Sequence, residues 1–206
     1  IGAKDNDSCG IHVHVDAANH NRQSLKNLIS IMYSKEDLLF KALQVNEVRA
    51  IRFCKKVREP MLRKARALSA EETPDLTQLE RIWYEGDVHK TDHYNWTRYY
   101  ALNLHSVFYR GTVEWRCFNS TLNPDLAAAY VNLCLAMSAQ AIAQRSTIMR
   151  KTHSDNELFT FRKMYLKDRE ITNLIGIGEN ILYMMRQMQS KPVGDKVEAS
   201  VLNTFY

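Results

Sequence analysis

The sequence predicts an α+β domain, with a small, mainly antiparallel sheet packed by a larger helical part. Three observations carry this reading. In "SCGIHVHVD" the apolar residues Ile11, Val13 and Val15 alternate with His12, His14 and Asp16, the two-residue period of a strand with one buried face. "TVEWRCF" alternates in the same way, and well over half of the remaining chain carries apolar residues at helical spacing. At 206 residues and 45% hydrophobic composition the chain can bury the core of one domain.

After the first strand, "HNRQSLKNLISIMYSKEDLLFKAL" places Leu25, Leu28, Ile29 and Met32 on one helical stripe. Ser34 followed by Asp37 resembles a helix start, so two helices are expected to meet near Ser34. The next, basic segment continues helically to Pro60, restarts through "MLRKARALSAEE" and breaks at Thr73-Pro74. A short helix is expected from Asp75 to about Tyr84. "YEGDVHKTDHYN" reads as a polar loop.

Two strands are then expected, "RYYALNLHSVF" and "TVEWRCF", joined through Tyr109-Arg110-Gly111 as a tight hairpin. Alternation puts Val113, Trp115 and Cys117 on one face of the second, with Thr112, Glu114, Arg116 and Phe118 on the other. In the first, Asn103 and His105 oppose Leu102 and Leu104. Asn123-Pro124 opens a long helix expected to reach about Arg150, apolar around most of its circumference. Helices over 155–168 and 171–189 and a tail with Pro192 and Gly194 complete a single domain, with a motif-bearing core at 8–122, a helical part at 123–190 and a tail at 191–206. So small a sheet leaves an open edge, and the start "IGAKDNDSCG" reads as the interior of a longer chain that would supply further strands.

No stretch of about 18 apolar residues suggests a membrane span, and no membrane partner is expected. Cys9, Cys54, Cys117 and Cys134 are scattered without a C-x-x-C pair, which argues against a zinc knuckle or a disulfide framework and for a reducing, cytoplasmic setting. The net charge of +5 is unevenly placed: Arg49, Arg52, Lys55, Lys56, Arg58, Arg63, Lys64 and Arg66 crowd one segment with only Glu59 against them. A solvated helix face explains this run, and a nucleic-acid-binding module over 49–66 is the functional alternative.

Histidines two apart on a strand lie about 7 Å apart and can aim at one ion, with Asp16 or a carboxylate from a neighbouring strand completing the set. Polar residues facing water would give the same pattern. Glu114 and Arg116 could likewise be ordinary cross-strand partners, worth roughly 0.2 to 1 kcal/mol. Repetition favours chemistry: His12, His14 and Asp16, then Asn103 and His105, then Glu114 and Arg116 each occupy the polar face of a strand, where Lys, Thr, Gln and Ser would suit water better. A carboxylate for a divalent cation, an arginine for phosphate oxygens and histidines for nucleotide or metal are the equipment of phosphoryl transfer. The alternative is zinc or iron held by His12, His14 and a carboxylate. Trp83, Trp96 and Trp115 read as core or groove aromatics, Met184, Met185 and Met188 as helix packing, and His89 and His93 as loop polarity.

"SCGIHVHVD", "RYYALNLHS" and "GTVEWRCFNSTL" resemble, in order, three motifs of the amidoligases, a branch of the carboxylate-amine ligases related to glutamine synthetase and glutamate-cysteine ligase. The similarity covers about Ser8 to Leu122, and the helix after Pro124 also fits. The resemblance implies the C-terminal half of a glutamine-synthetase-like fold and amide formation from a carboxylate and an amine, using ATP and Mg2+ (or Mn2+) through an acyl phosphate. It implies Glu114 at the metal, His12 and His14 at the nucleotide-metal side, and Arg116 against the phosphoryl group. Asn103 and Arg98 would position substrate or phosphates, and Arg49 or Arg52 would reach an anionic substrate. The acid and amine are left open among metabolites, peptides, proteins and cell-wall material, as is oligomeric state. Two departures stand out: the family's paired-glutamate strand, E-x-E, has no counterpart in residues 1 to 8, which implies an incomplete site in this chain alone, and Ser120 replaces a glycine beside Thr121, the expected phosphate contact.

Overall fold

In the computed structural model, residues 9–69, 75–86 and 92–145 are described, together with Gly2 and Lys4. Three strands form an antiparallel sheet in the order β1-β3-β2: β1 (Gly10–Asp16), β2 (Leu102–Asn103) and β3 (Thr112–Asn119). Among the described residues six helices accompany it: α1 (Arg22–Ala42), α2 (Glu47–Arg52), α3 (Glu59–Ala67), α4 (Thr77–Trp83), α5 (His105–Arg110) and α6 (Pro124–Ala143), with a 3-10 turn at Trp96–Tyr99. The α+β class expected from the sequence is the class observed.

The apolar alternation sets the register. Val13 pairs with Trp115 and Val15 with Val113, while Leu102 meets Trp115 from the other side, so one face of the sheet is apolar. Between Ile11 and Val13 the pairing slips by one residue, and Ile11 pairs with Phe118. This bulge in β3 corrects the expected facing of Phe118, which turns to the apolar side and stacks on Tyr130 of α6 at 4.4 Å between ring centroids.

The expected hairpin between β2 and β3 does not form. Leu104, Val107 and Phe108 repeat at helical spacing, and the chain after Asn103 coils into α5. Gly111 ends that helix in the left-handed conformation at φ 74°, with its N–H bonded to the Val107 carbonyl at 3.0 Å. β2 is therefore only two residues long.

α1 runs unbroken through Ser34, because the apolar stripe of Leu25, Leu28, Ile29 and Met32 continues through Leu39 and Phe40 and outweighs a polar pair resembling a cap. α2 stops at Arg52 rather than at Pro60: residues 53–58 are non-helical, with Lys55 bridged to Tyr100, and Pro60 lies in the first turn of α3. α4 begins at Thr77, where Asp75 Oδ1 accepts the Thr77 N–H at 2.9 Å. α6 ends at Ala143, and buried Asn27 of α1 donates to the Ala141 and Gln144 carbonyls at 2.9 and 2.7 Å. α6 is by length and composition long and apolar enough to cross a membrane, which the sequence expectation missed. In this fold Leu133, Cys134 and Met137 are buried in the core.

None of the four cysteines is in a disulfide. Trp83 and Trp115 are core residues, whereas Trp96 is half exposed. The Thr73-Pro74 break, His89, the long helix beyond residue 145, the helices at 155–168 and 171–189 with Met184, Met185 and Met188, and the tail fall outside the described residues.

Candidate functional site

Glu114 lies on the central strand, on the face opposite the core, with His14 beside it on β1 and Asn103 beside it on β2. Arg116, two residues along, donates from Nη1 to Glu114 Oε1 at 2.8 Å. Asn103 Nδ2 donates to Oε2 at 2.5 Å, and His12 Nδ1 lies 3.0 Å from Oε1. Arg116 Nη1 also lies 3.4 Å from His12 Nδ1. A guanidinium only donates, so the shorter contact assigns the Nδ1 proton to the bond with Glu114. His14 Nε2 stands 3.6 Å from Oε1, beyond hydrogen-bond reach, and its Nδ1 bonds the Thr112 hydroxyl at 3.0 Å.

Glu114 is 5% exposed. Burial alone would push its carboxyl pKa up, but the His12 hydrogen bond, the Arg116 charge, the Asn103 amide and His14 outweigh it and hold the pKa at about 2. Burial lowers His14, Glu114 raises it, and Arg110, His12 and Arg116 lower it further. Glu114 is thus the ionised carboxylate of a lining that also holds Arg116.

This centre floors a pocket of about 130 Å³. His12, His14, Arg98, Asn103, Glu114 and Arg116 all line it, so the residues singled out across three separate segments of sequence meet. His105 lines it as well, from the start of α5 rather than from a strand, with Nδ1 2.5 Å from the Tyr84 hydroxyl. His93, Ser106, Tyr109 and Arg110 complete the lining and escaped the sequence reading. His93 is more than loop polarity: its ring stacks on Tyr109 at 5.4 Å, and its Nε2 accepts from Arg110 at 2.9 Å. Ser106 and Arg110 were hidden because their segment reads as a strand end and turn, whereas α5 carries both to the pocket.

Other candidates fall elsewhere. Asp16 is absent from the lining and accepts the Ala18 N–H at 2.9 Å in the turn after β1. Thr121 Oγ1 accepts the Asn123 N–H at 3.1 Å before α6, outside the pocket. Arg49 is neither a solvated charge nor a pocket residue: it is 4% exposed and donates to the carbonyls of Cys9, Arg116 and Phe118 at 2.9, 3.2 and 3.2 Å. Arg52 is exposed and likewise outside the pocket. Much of the basic run is partnered from distant sequence, Lys56 by Asp37 at 2.6 Å and Arg58 by Glu85, while Arg63 meets Glu59 one helical turn away. A continuous basic surface for nucleic acid is correspondingly reduced.

Three guanidinium groups face the pocket against one carboxylate, which suits an anionic ligand. Among the described residues no three His, Cys, Asp or Glu side chains are grouped to hold a metal ion. That arrangement lacks the ready ligand set of a zinc or iron centre. Magnesium asks less of the protein, often one or two carboxylates with phosphates and water, and Glu114 is the lining carboxylate that fits this demand.

Residues 1–138 match a family described as "Putative amidoligase enzyme", 138 of the 206 residues and the whole of the sheet and pocket. Neither the curated proteins nor the solved structures provide a match.

Proposed function

Since the chain belongs to the amidoligase family, we propose that its pocket joins a carboxylate to an amine with ATP as the energy source, through an acyl phosphate. The observation that carries this reading is a fully hydrogen-bonded, ionised Glu114 flanked by Arg116, His12 and Asn103 at the floor of a cation-rich pocket.

In the first step a carboxylate oxygen of the acid attacks the terminal phosphorus of ATP, and the bond from that phosphorus to the bridging oxygen breaks to release ADP. In the second, the amine nitrogen attacks the acyl carbon, the carbon–oxygen bond to phosphate breaks, and the nitrogen loses a proton. Arg116 faces the negative charge that gathers on the transferring phosphoryl group and again on the departing phosphate. Its fork is held by Glu114 and by the Phe53 carbonyl at 3.4 Å, so its position is set before the anion arrives. Asn103 and Arg98 orient the substrates, and His12 and His14 stand on the nucleotide side. Magnesium, or manganese in its place, would supply charge neutralisation to the phosphates, with Glu114 and the neighbouring histidines at the metal side.

We place the reaction in the cytoplasm, where ATP is abundant and free thiols such as Cys54, Cys117 and Cys134 stay reduced. The acid and amine are open among a metabolite, a peptide, a protein and cell-wall material. The test is calorimetric titration with ATP and magnesium, beside Glu114→Gln and His12→Ala. Binding that requires magnesium and is lost in both variants is expected. ATP binding that ignores magnesium and survives both substitutions would overturn the reading.

A further inference from the structure

We propose that Arg98, Arg110 and His93 form a second oxyanion subsite in the pocket, distinct from Arg116, so that a ligand is gripped at two points. The subsite rests on the ligase reading only for which substrate carries the anion.

Arg116 spends its charge on Glu114, at 2.8 Å. Arg98 and Arg110 also line the pocket, and among the described residues neither forms an ion pair with a carboxylate. Both are instead fixed by neutral groups. Arg98 donates from Nη1 to the His93 carbonyl at 3.3 Å and lies over the Tyr94 and Tyr99 rings at 5.3 and 5.7 Å. Arg110 donates from Nη2 to His93 Nε2 at 2.9 Å and lies over Tyr109 at 5.5 Å.

One residue therefore orients both forks, through its carbonyl and through its ring. The ring contact demands that Nε2 keep its lone pair, since arginine has no acceptor to offer. Two pre-positioned guanidinium groups without a carboxylate are suited to a phosphate or carboxylate, which each can grip through paired N–H donors. His93 is a positioning residue in this arrangement.

The test titrates the protein by calorimetry with tripolyphosphate and, separately, with glutarate, without turnover. Binding of at least one probe is expected, weakened at least about tenfold in both Arg98→Gln and Arg110→Gln. Arg110→Lys, which keeps the charge and loses the fork, should fall between. His93→Leu should weaken binding and His93→Gln, which keeps an acceptor, should restore part of it. Loss confined to tripolyphosphate assigns the subsite to nucleotide phosphates, and loss confined to glutarate assigns it to the acid substrate. A protein that binds neither probe, or binding unchanged in either arginine variant, overturns the subsite. Because the readout needs no ligation, failure of the magnesium–ATP titration would sink the ligase reading and leave this result standing.

Discussion

Asn103 Nδ2 lies 2.5 Å from Glu114 Oε2, across the pair formed by the last residue of β2 and the centre of β3. An ionised carboxylate can only accept, so this contact fixes the amide and turns Asn103 Oδ1 away from Glu114. That oxygen is buried and, among the described residues, has no hydrogen-bond partner, in a residue that lines the pocket.

Asn103→Asp should expose the electrostatics of this pair. It keeps the shape but sets a second carboxylate against Glu114 at hydrogen-bond distance, where two negative charges cannot both persist. The two groups should titrate as a coupled pair with one apparent pKa raised well above the ordinary carboxylate range. Carboxyl-carbon NMR titration reads this directly. Two independent titrations in the ordinary range would show that the cross-strand contact does not persist in solution.

Glu114→Gln tests the centre itself. Gln presents an NH2 group where Arg116, His12 and Asn103 all donate, so at least one buried donor loses its acceptor, at roughly 1 to 3 kcal/mol. Ligation should fall by at least about a hundredfold, more than the modest loss of stability explains, because the carboxylate acts chiefly where charge develops. Activity and thermal midpoint measured side by side separate the effects, and a folded variant with full activity would remove Glu114 from the chemistry.

Acid should destabilise the protein in two stages. His20 bonds the Ser24 and Ser138 hydroxyls at 3.0 and 2.7 Å, and burial lowers its pKa from 6.5 to about 4. A depressed histidine contributes stability above its unfolded value, lost as pH falls from 6.5 toward 4. Glu114, lowered from 4.5 to about 2, contributes fully above 4.5 and loses its contribution as pH falls toward 2, a ceiling of about 3 kcal/mol. Urea unfolding across pH 7 to 3 should show that His20→Asn flattens the upper stage and Glu114→Gln the lower. Unaltered slopes in both variants would contradict these assignments.

The polar faces of the two longer strands were legible because side-chain alternation is local: His12, His14, Glu114 and Arg116 need only a period of two to be grouped. Their convergence with Asn103 was legible from the repetition of polar, coordination-capable side chains on the second strand. The bulge that turns Phe118 inward was not, since a one-residue slip depends on the partner strand and leaves no mark in the sequence of β3. His93 and Arg110 were missed for a similar reason. Their pairing depends on α5, and "NLHSVFY" supports a strand and a helical turn almost equally until Leu104 and Val107 are buried together. Arg49 showed only its charge, whereas its role depends on carbonyls 40, 67 and 69 residues away.

That buried arginine supports the last prediction. A Cβ added at Gly10 would clash with the Arg49 guanidinium, so Gly10→Ala must displace it from the three carbonyls it satisfies. An uncompensated buried charge costs about 3 to 5 kcal/mol, and Gly10→Ala should destabilise by an amount of that order. Arg49→Met removes charge and donors together and should cost less, about 1 to 3 kcal/mol for the orphaned carbonyls. The double variant should then be no less stable than Arg49→Met alone, because alanine meets no guanidinium once the arginine is gone. Denaturant unfolding of the four proteins closes this cycle, and additive losses would show that Gly10 is required by something other than Arg49.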